Sequence, residues 1–316
     1  MTNQSEKIQE ATASLRTVRD MVRWAMTRME EEKIDFFGQG TNSAWEEATF
    51  LVLRALRLPF DRLETFWEAR LTDEEVRRIA DLIERRVVDH VPTPYLLHEA
   101  WLTGCRFYCD ENTLIPRSFI AELLEEDLAP WVEDPEAVES VLDMCTGSGC
   151  LAILAADTFP NARVTGIDIS PKALEVARVN RTDYRLEDRV DFVLSDLFDM
   201  PEVKANKWDL IISNPPYVTT RAMEELPDEY RVEPALALAA GEDGMDVVRR
   251  LLPEAARHLT ENGLLVVEVG DGREAVEAIW PELPLTWLTV SAGDDLVFLA
   301  TAEDLRAYFG SKAPAF

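Results

Sequence analysis

Positive charge is scarce in this chain. Lysine and arginine together number 32, only six of them lysine, against 60 aspartates and glutamates, giving a formal net charge of −28. A field of that sign repels polyanions, so a surface that wraps nucleic acid is disfavoured unless a local basic strip intervenes. The acidity is spread along the whole chain rather than confined to a tail. It fits either a basic protein substrate drawn in by the field or the solvated surface of a salt-adapted protein. Cysteine and histidine are also few: Cys105, Cys109, Cys145 and Cys150 form no pair of CxxC units, and His90, His98 and His258 are the only histidines. A metal site is therefore not expected, and reduced core or near-core thiols are. Long apolar runs are missing too. No stretch approaches the roughly 18 residues of a membrane span, and residues 1–16 are polar and helix-like without a signal-type apolar segment, so a soluble, cytoplasmic protein is expected.

What is present divides the chain in two. Its length of 316 residues suggests about two domains, and 47% hydrophobic against 29% charged residues allows both to bury a core. From residue 14 to about residue 92 the apolar positions follow a helical period: Val18, Met21, Val22, Ala25, Met26 and Met29, then Ala48, Leu51, Val52 and Ala55, then Val76, Ile79, Ala80, Ile83 and Val87. Thr72 with Glu75 makes a capping box for the last of these helices. Trp24, Trp45 and Trp67 read as core residues. An all-helical domain is expected over 1–94, ended by Pro92-Thr93-Pro94-Tyr95, and a β-ribbon linker over 95–118. Over 119–316 strands and helices alternate, with strands read at 140–145, 163–167, 190–194, 208–213, 263–269, 285–290 and 295–301. That alternation implies a parallel sheet with helices on both faces. The last two strands are joined only by a turn, so the sheet should end in an antiparallel pair.

The first of these strands runs into Asp143-Met144-Cys145-Thr146-Gly147-Ser148-Gly149-Cys150, a glycine-containing turn that opens an apolar helix. Gly147 permits the turn and Gly149 lets a ligand lie against the backbone. The next strand ends at Asp168, placed to bind the two ribose hydroxyls of a nucleotide-type cofactor. A dinucleotide would call for a third glycine, but residue 152 is alanine, and the loop has no basic residue to meet a phosphate. A cofactor with a ribose and no phosphate, such as S-adenosylmethionine, suits it better. Asp143 is suited to orient the loop or to meet the ammonium of that cofactor. The third strand ends in Ser195-Asp196-Leu197-Phe198, where Asp196 can accept from an adenine amino group while Leu197 and Phe198 wall the ring.

The fourth strand, Leu210-Ile211-Ile212, leads into Asn214-Pro215-Pro216-Tyr217. Two prolines make this corner stiff and non-helical and remove two N–H groups, leaving the Asn214 and Pro215 carbonyls as acceptors. The Asn214 side chain adds an acceptor and two donors, and Tyr217 a flat face. Together they would grip a planar NH2 group, either a carboxamide or the exocyclic amine of a base. A proline-rich turn with a capping asparagine is the structural alternative.

The loop, the segment Gly166–Leu174, Ser195–Phe198 and the run Asp209–Tyr217 that ends in the Asn-Pro-Pro-Tyr corner together resemble the HemK-type protein-glutamine N-methyltransferase family. Thr146-Gly147-Ser148-Gly149-Cys150, Ile115-Pro116-Arg117-Ser118, Leu226-Pro227-Asp228-Glu229-Tyr230-Arg231 and the motif at 38–45 are similar to the branch acting on large-subunit ribosomal protein three rather than the release-factor branch. Phe119 departs from the proline expected after Pro-Arg-Ser.

The resemblance implies a Rossmann-like class I methyltransferase sheet, S-adenosylmethionine as methyl donor with S-adenosylhomocysteine as product, and that ribosomal protein or an assembling large subunit as partner. It implies cofactor contacts from Asp143, Thr146, Gly147, Ser148, Gly149, Asp168, Ile169, Asp196, Leu197 and Asn214. Catalysis would fall to Asn214, Pro215 and Tyr217, with Pro216 joining them against the substrate, and with no metal and no evident general base. Arg117 is expected either to brace the linker against the catalytic domain or to contact substrate, Glu233-Pro234 either to help close the site or to form a turn, and Gly270-Asp271-Gly272 to lead into a helix. Release-factor methylation, a DNA or RNA amino-methyltransferase and a non-catalytic cofactor-binding scaffold are the alternatives. The nucleic-acid reading would need a basic track or a recognition insertion, and the sequence contains neither.

Overall fold

The structure, a computed structural model, describes residues 4–36 and 40–311, so Gly38 and Gln39 of the motif at 38–45 lie outside it. The chain forms two compact units, 1–100 with 227–232, and 101–226 with 233–316. No helix among the described residues is long and apolar enough to cross a membrane.

The first unit is built on the helices Gln4–Ser14, Val18–Glu32, Ala44–Ala55 and Asp73–Val88. Capping boxes at Thr17/Asp20 and Thr72/Glu75 satisfy the first free N–H groups of two of them. The apolar stripes named above face one another, with Val18, Met21, Val22, Ala25, Met29, Leu51, Val76, Ile79 and Ile83 fully buried. Trp45 departs from expectation. It lies off the Ala44–Ala48–Leu51 stripe and is 45% exposed, its ring edge-on to Trp67 at 5.9 Å. Pro92-Thr93-Pro94-Tyr95 does not end the helical run but opens a short helix, Thr93–Leu97. Proline is tolerated in a first turn, where its missing N–H has no intrahelical partner to lose. The segment 227–232 belongs to this unit through Glu229, which is buried and accepts from the Asp35 N–H at 3.2 Å and Arg86 Nη1 at 3.4 Å.

A two-stranded ribbon follows, β1 (Ala100–Leu102) and β2 (Cys105–Phe107). The sheet of the second unit comprises β3 (Ser140–Met144), β4 (Arg163–Asp168), β5 (Val190–Leu194), β6 (Trp208–Ser213), β7 (Leu259–Glu268), β8 (Thr286–Val290) and β9 (Gly293–Thr301). Their order is β5-β4-β3-β6-β7-β9-β8, parallel from β5 to β7, with β9 antiparallel to β7 and to β8. Alternate residues of each strand enter opposite cores. Val141, Leu210, Ile212 and Val266 pack beneath the helices Ile120–Glu125 and Cys150–Thr158, whereas Leu142, Ile211, Leu265 and Val267 pack against Asp246–His258 on the other face. β7 begins four residues before the expected 263: Leu259-Thr260-Glu261-Asn262, outside the expected strand, is drawn into it across an irregularity opposite Trp208 and Leu210.

The connections run one way from β3 to β4 and β5, and the other way from β6 to β7, so strand order reverses between β3 and β6. Open α/β sheets form their ligand crevice at such a point, outside the carboxyl ends of the strands. Close approach there demands glycine. A Cβ at Gly166 of β4 would stand 2.6 Å from Phe192 Cε1 and 2.7 Å from Thr146 Oγ1, and one at Gly149 would stand 2.8 Å from Phe192 Cζ. One ring thus fills the space left by both glycines. Gly166→Ala is expected to lower unfolding stability by about 1–3 kcal/mol, and the added Phe192→Leu to recover part of that loss; equal denaturation midpoints for wild type and Gly166→Ala would contradict this packing.

Candidate active site

The carboxyl ends of β3, β4, β5 and β6 border a cavity of about 260 Å³. It gathers Thr146, Gly147, Ser148, Asp168, Ile169, Asp196, Leu197, Asn214 and Pro216, nine of the positions named from sequence. Asp143, Gly149, Pro215 and Tyr217 are not among the residues that line it.

Asp143 is buried beneath the glycine loop, where its Oδ2 accepts from Thr146 Oγ1 and from the Ala152 N–H at 3.0 Å. It therefore orients the loop, and its Oδ1 is buried with no hydrogen-bond partner. The loop itself passes through left-handed conformations at Cys145, Gly147 and Gly149. Thr146 N–H donates to the Ile167 carbonyl at 2.9 Å and Gly147 N–H to Asp168 Oδ2 at 2.9 Å, which ties the turn to the end of β4. Asp168 Oδ1 takes the Ser170 N–H at 2.8 Å, and the carboxylate, with about four lone-pair sites, keeps acceptor capacity at the cavity. Asn180, on the buried face of the helix Pro171–Asp183, was not singled out from sequence. Its Nδ2 donates to the Ser148 and Tyr108 carbonyls, both at 2.9 Å, and holds the loop to the chain leaving the ribbon.

Ile169, 51% exposed, and Leu197 supply apolar walls. Phe198 does not: it is buried in the core and stacks on His258 at 4.7 Å, because the left-handed turn at Leu197 sends the next side chain inward. Arg250, also missed, reaches Asp196 Oδ1 with Nη2 at 2.9 Å. Arg117 Nη1 lies 2.8 Å from Glu233 Oε1, and Glu233 Oε2 accepts the Ile115 N–H at 3.1 Å, so one carboxylate holds the linker segment at two points. Pro234, Leu236 and Ala237 continue from Glu233 into the cavity lining.

At the corner, Ser213 Oγ donates to the Met144 carbonyl at 2.9 Å and joins the ends of β6 and β3. Asn214 Nδ2 donates to the Arg117 carbonyl at 3.2 Å, which turns Oδ1 the other way, as an acceptor. Behind Tyr217 stands Gly270, where a Cβ would come within 2.7 Å of the Tyr217 ring, so this glycine serves more than the turn expected of it. Glu268, at the end of β7, was missed. It accepts from Ser118 Oγ at 2.6 Å and the Phe119 N–H at 2.9 Å, and burial pushes its carboxyl above the usual range.

Three carboxylates, an acceptor amide and apolar walls surround a loop with no basic side chain. The partnerless Asp143 Oδ1 beneath that loop is a place for positive charge, and Asp168 retains acceptors for hydroxyls. These residues fit a cationic, ribose-bearing ligand without phosphate, as S-adenosylmethionine is.

Residues 136–290 match a family model described as a methyltransferase domain. Over nearly its whole length the chain is similar to proteins named ribosomal protein uL3 glutamine methyltransferase. That of Burkholderia pseudomallei is 52% identical, over 93% of this chain and 97% of that protein. That of Neisseria meningitidis serogroup A is 48% identical, over 94% and 96%, and that of Francisella tularensis 43%, over 96% and 96%.

Burial raises the Asp143 carboxyl from 3.8 to about 7. An acid whose folded-state value lies above its unfolded one favours the fold while protonated, so its contribution is lost as pH climbs from about 4 to about 7 and is constant above that. Asp143→Asn removes this slope. The melting temperature of wild type minus that of the variant should fall between about pH 5 and about pH 7.5; a constant difference would contradict the buried ionisation.

Proposed function

Because this chain belongs to the family of ribosomal protein uL3 glutamine methyltransferases, we propose that it transfers a methyl group from S-adenosylmethionine to the side-chain amide nitrogen of a glutamine in ribosomal protein uL3, in the cytoplasm, on the free protein or on an assembling large subunit. The observation that carries the site assignment is the orientation of Asn214. With Nδ2 donated to the Arg117 carbonyl, Oδ1 is left as an acceptor at a cavity bordered by the ends of β3, β4, β5 and β6.

The bound cofactor supplies an electrophilic methyl group. The chain's own task is to present a poor nucleophile, since an amide lone pair is delocalised into its carbonyl. Asn214 Oδ1 and the Pro215 carbonyl accept the two amide hydrogens and aim the nitrogen, and Tyr217 offers its ring to the amide plane. As the new C–N bond forms those hydrogens become more acidic, so the two acceptors hold the transition state more strongly than the ground state. The proton leaves after transfer, because an N-alkylated, positively charged amide is strongly acidic, and no general base is required. Asp143 and the glycine loop through Gly149 shape the cofactor end; Asp168 takes the ribose hydroxyls, Asp196 the adenine amine, and Ile169 and Leu197 its faces. The helical unit selects the protein substrate.

An amino-methyltransferase of DNA or RNA would use the same corner, but the net charge of −28 opposes a polyanionic substrate. Methyl incorporation into purified uL3 and into ribosomal RNA or DNA separates the two; label found only in nucleic acid would overturn the reading. With uL3 as substrate, Asn214→Ala should raise the barrier by at least about 2 kcal/mol, roughly 30-fold in turnover, and near-native turnover would remove Asn214 from its role.

A further inference from the structure

Glu268 is 3% exposed, a charge buried at the end of β7 beside the corner that ends β6. A carboxylate in such a place needs partners to offset its desolvation. Its partners here come from two segments that meet at Asn214 and Tyr217. Oε2 accepts from Ser118 Oγ at 2.6 Å and from the Phe119 N–H at 2.9 Å. Both donors immediately follow Arg117, whose carbonyl takes the Asn214 Nδ2 donor at 3.2 Å. Oε1 stands 3.5 Å from the Tyr217 hydroxyl, a long and weak polar contact, and the same ring rests over Gly270, where no Cβ intrudes. One carboxylate is thus linked to both side chains of the corner.

We infer that Glu268 is the positioning residue of the amide-reading corner: it fixes the Arg117 carbonyl, which sets the donor and acceptor ends of Asn214, and it fixes the Tyr217 ring. It is not a catalytic residue, since it acts through Ser118, Phe119 and Tyr217. This rests on the proposed reading that Asn214 and Tyr217 frame the substrate amide. It implies that the corner is pre-organised from behind, by a charge that the substrate never meets, so that no ordering of Asn214 remains to be done when a glutamine arrives.

The test compares wild type with Glu268→Ala, Glu268→Gln and Ser118→Ala, using S-adenosylmethionine affinity by calorimetry, turnover on uL3, and the side-chain NH2 resonances of Asn214 by NMR. In Glu268→Ala turnover should fall about 10-fold or more, with cofactor affinity within about 3-fold of wild type. The Asn214 side-chain resonances should lose their distinct shift and exchange protection, while the Gly147 amide keeps its own. Glu268→Gln, which still accepts from Ser118 and Phe119, should restore the Asn214 signature and much of the turnover. Ser118→Ala should show a smaller shift in the same direction, and it decides the matter if Glu268→Ala does not fold. An unchanged Asn214 signature in these variants, or turnover and cofactor affinity lost in equal measure, would overturn the inference. Should wild type transfer no methyl to uL3, the substrate reading fails and the Asn214 resonances still decide the role of Glu268.

Discussion

A primary amide has one end that donates and one that accepts, and a backbone carbonyl can meet only the first. The hydrogen bond from Asn214 Nδ2 to the Arg117 carbonyl therefore settles which end of Asn214 is left over, and the site depends on that. The surroundings make the bond durable. Pro215 and Pro216 bring no N–H of their own to compete for acceptors, and they stiffen the backbone on which Asn214 stands. On the other side the carbonyl belongs to a segment held by Glu233 at Ile115 and Arg117 and by Glu268 at Ser118 and Phe119. The geometry of the corner thus comes from four places far apart in sequence, the corner itself, residues 115–119, Glu233 and Glu268, and the last two are buried acids.

The opposite end of the cavity is organised by close approach rather than by charge pairing. Gly149 and Gly166 leave room for one ring, Phe192, between the loop and β4. Asp143 gathers Thr146 and Ala152 over itself, and Asp168 captures the Gly147 N–H. No cation enters the loop, and the arginines on the cavity wall are each committed to an acid, Arg117 to Glu233 and Arg250 to Asp196. The result favours a positively charged ligand and offers nothing to a phosphate. That local preference agrees in sign with the acidic chain as a whole.

Much of this is legible in the sequence, because period and punctuation carry it. Strands 190–194 and 208–213 have the bounds read from their apolar runs, and the Thr72 capping box opens its helix as expected. What escaped was of three kinds. β7 starts early because polar residues 260–262 can be drawn into a strand by an irregular neighbour, which no local pattern reports. Trp45 and Phe198 were misplaced because an aromatic residue's type says less about its direction than the turn it follows. Glu268 was passed over because a lone glutamate after two valines reads as a strand end, and its partners lie about 50 and 150 residues away in sequence. Asn180 is different: it continues the buried stripe of Ala173, Val176 and Ala177, and a polar residue on an apolar helix face was a signal that could have been read.

The choice of a glutamine in uL3 rests on kinship along the whole chain. Mass spectrometry of uL3 from cells lacking this enzyme, complemented with wild type or with Asn214→Ala, tests that choice most directly. One methyl group is expected on a single glutamine of uL3, absent without the enzyme, restored by wild type and low with the variant. A uL3 methylated alike in all three would contradict it.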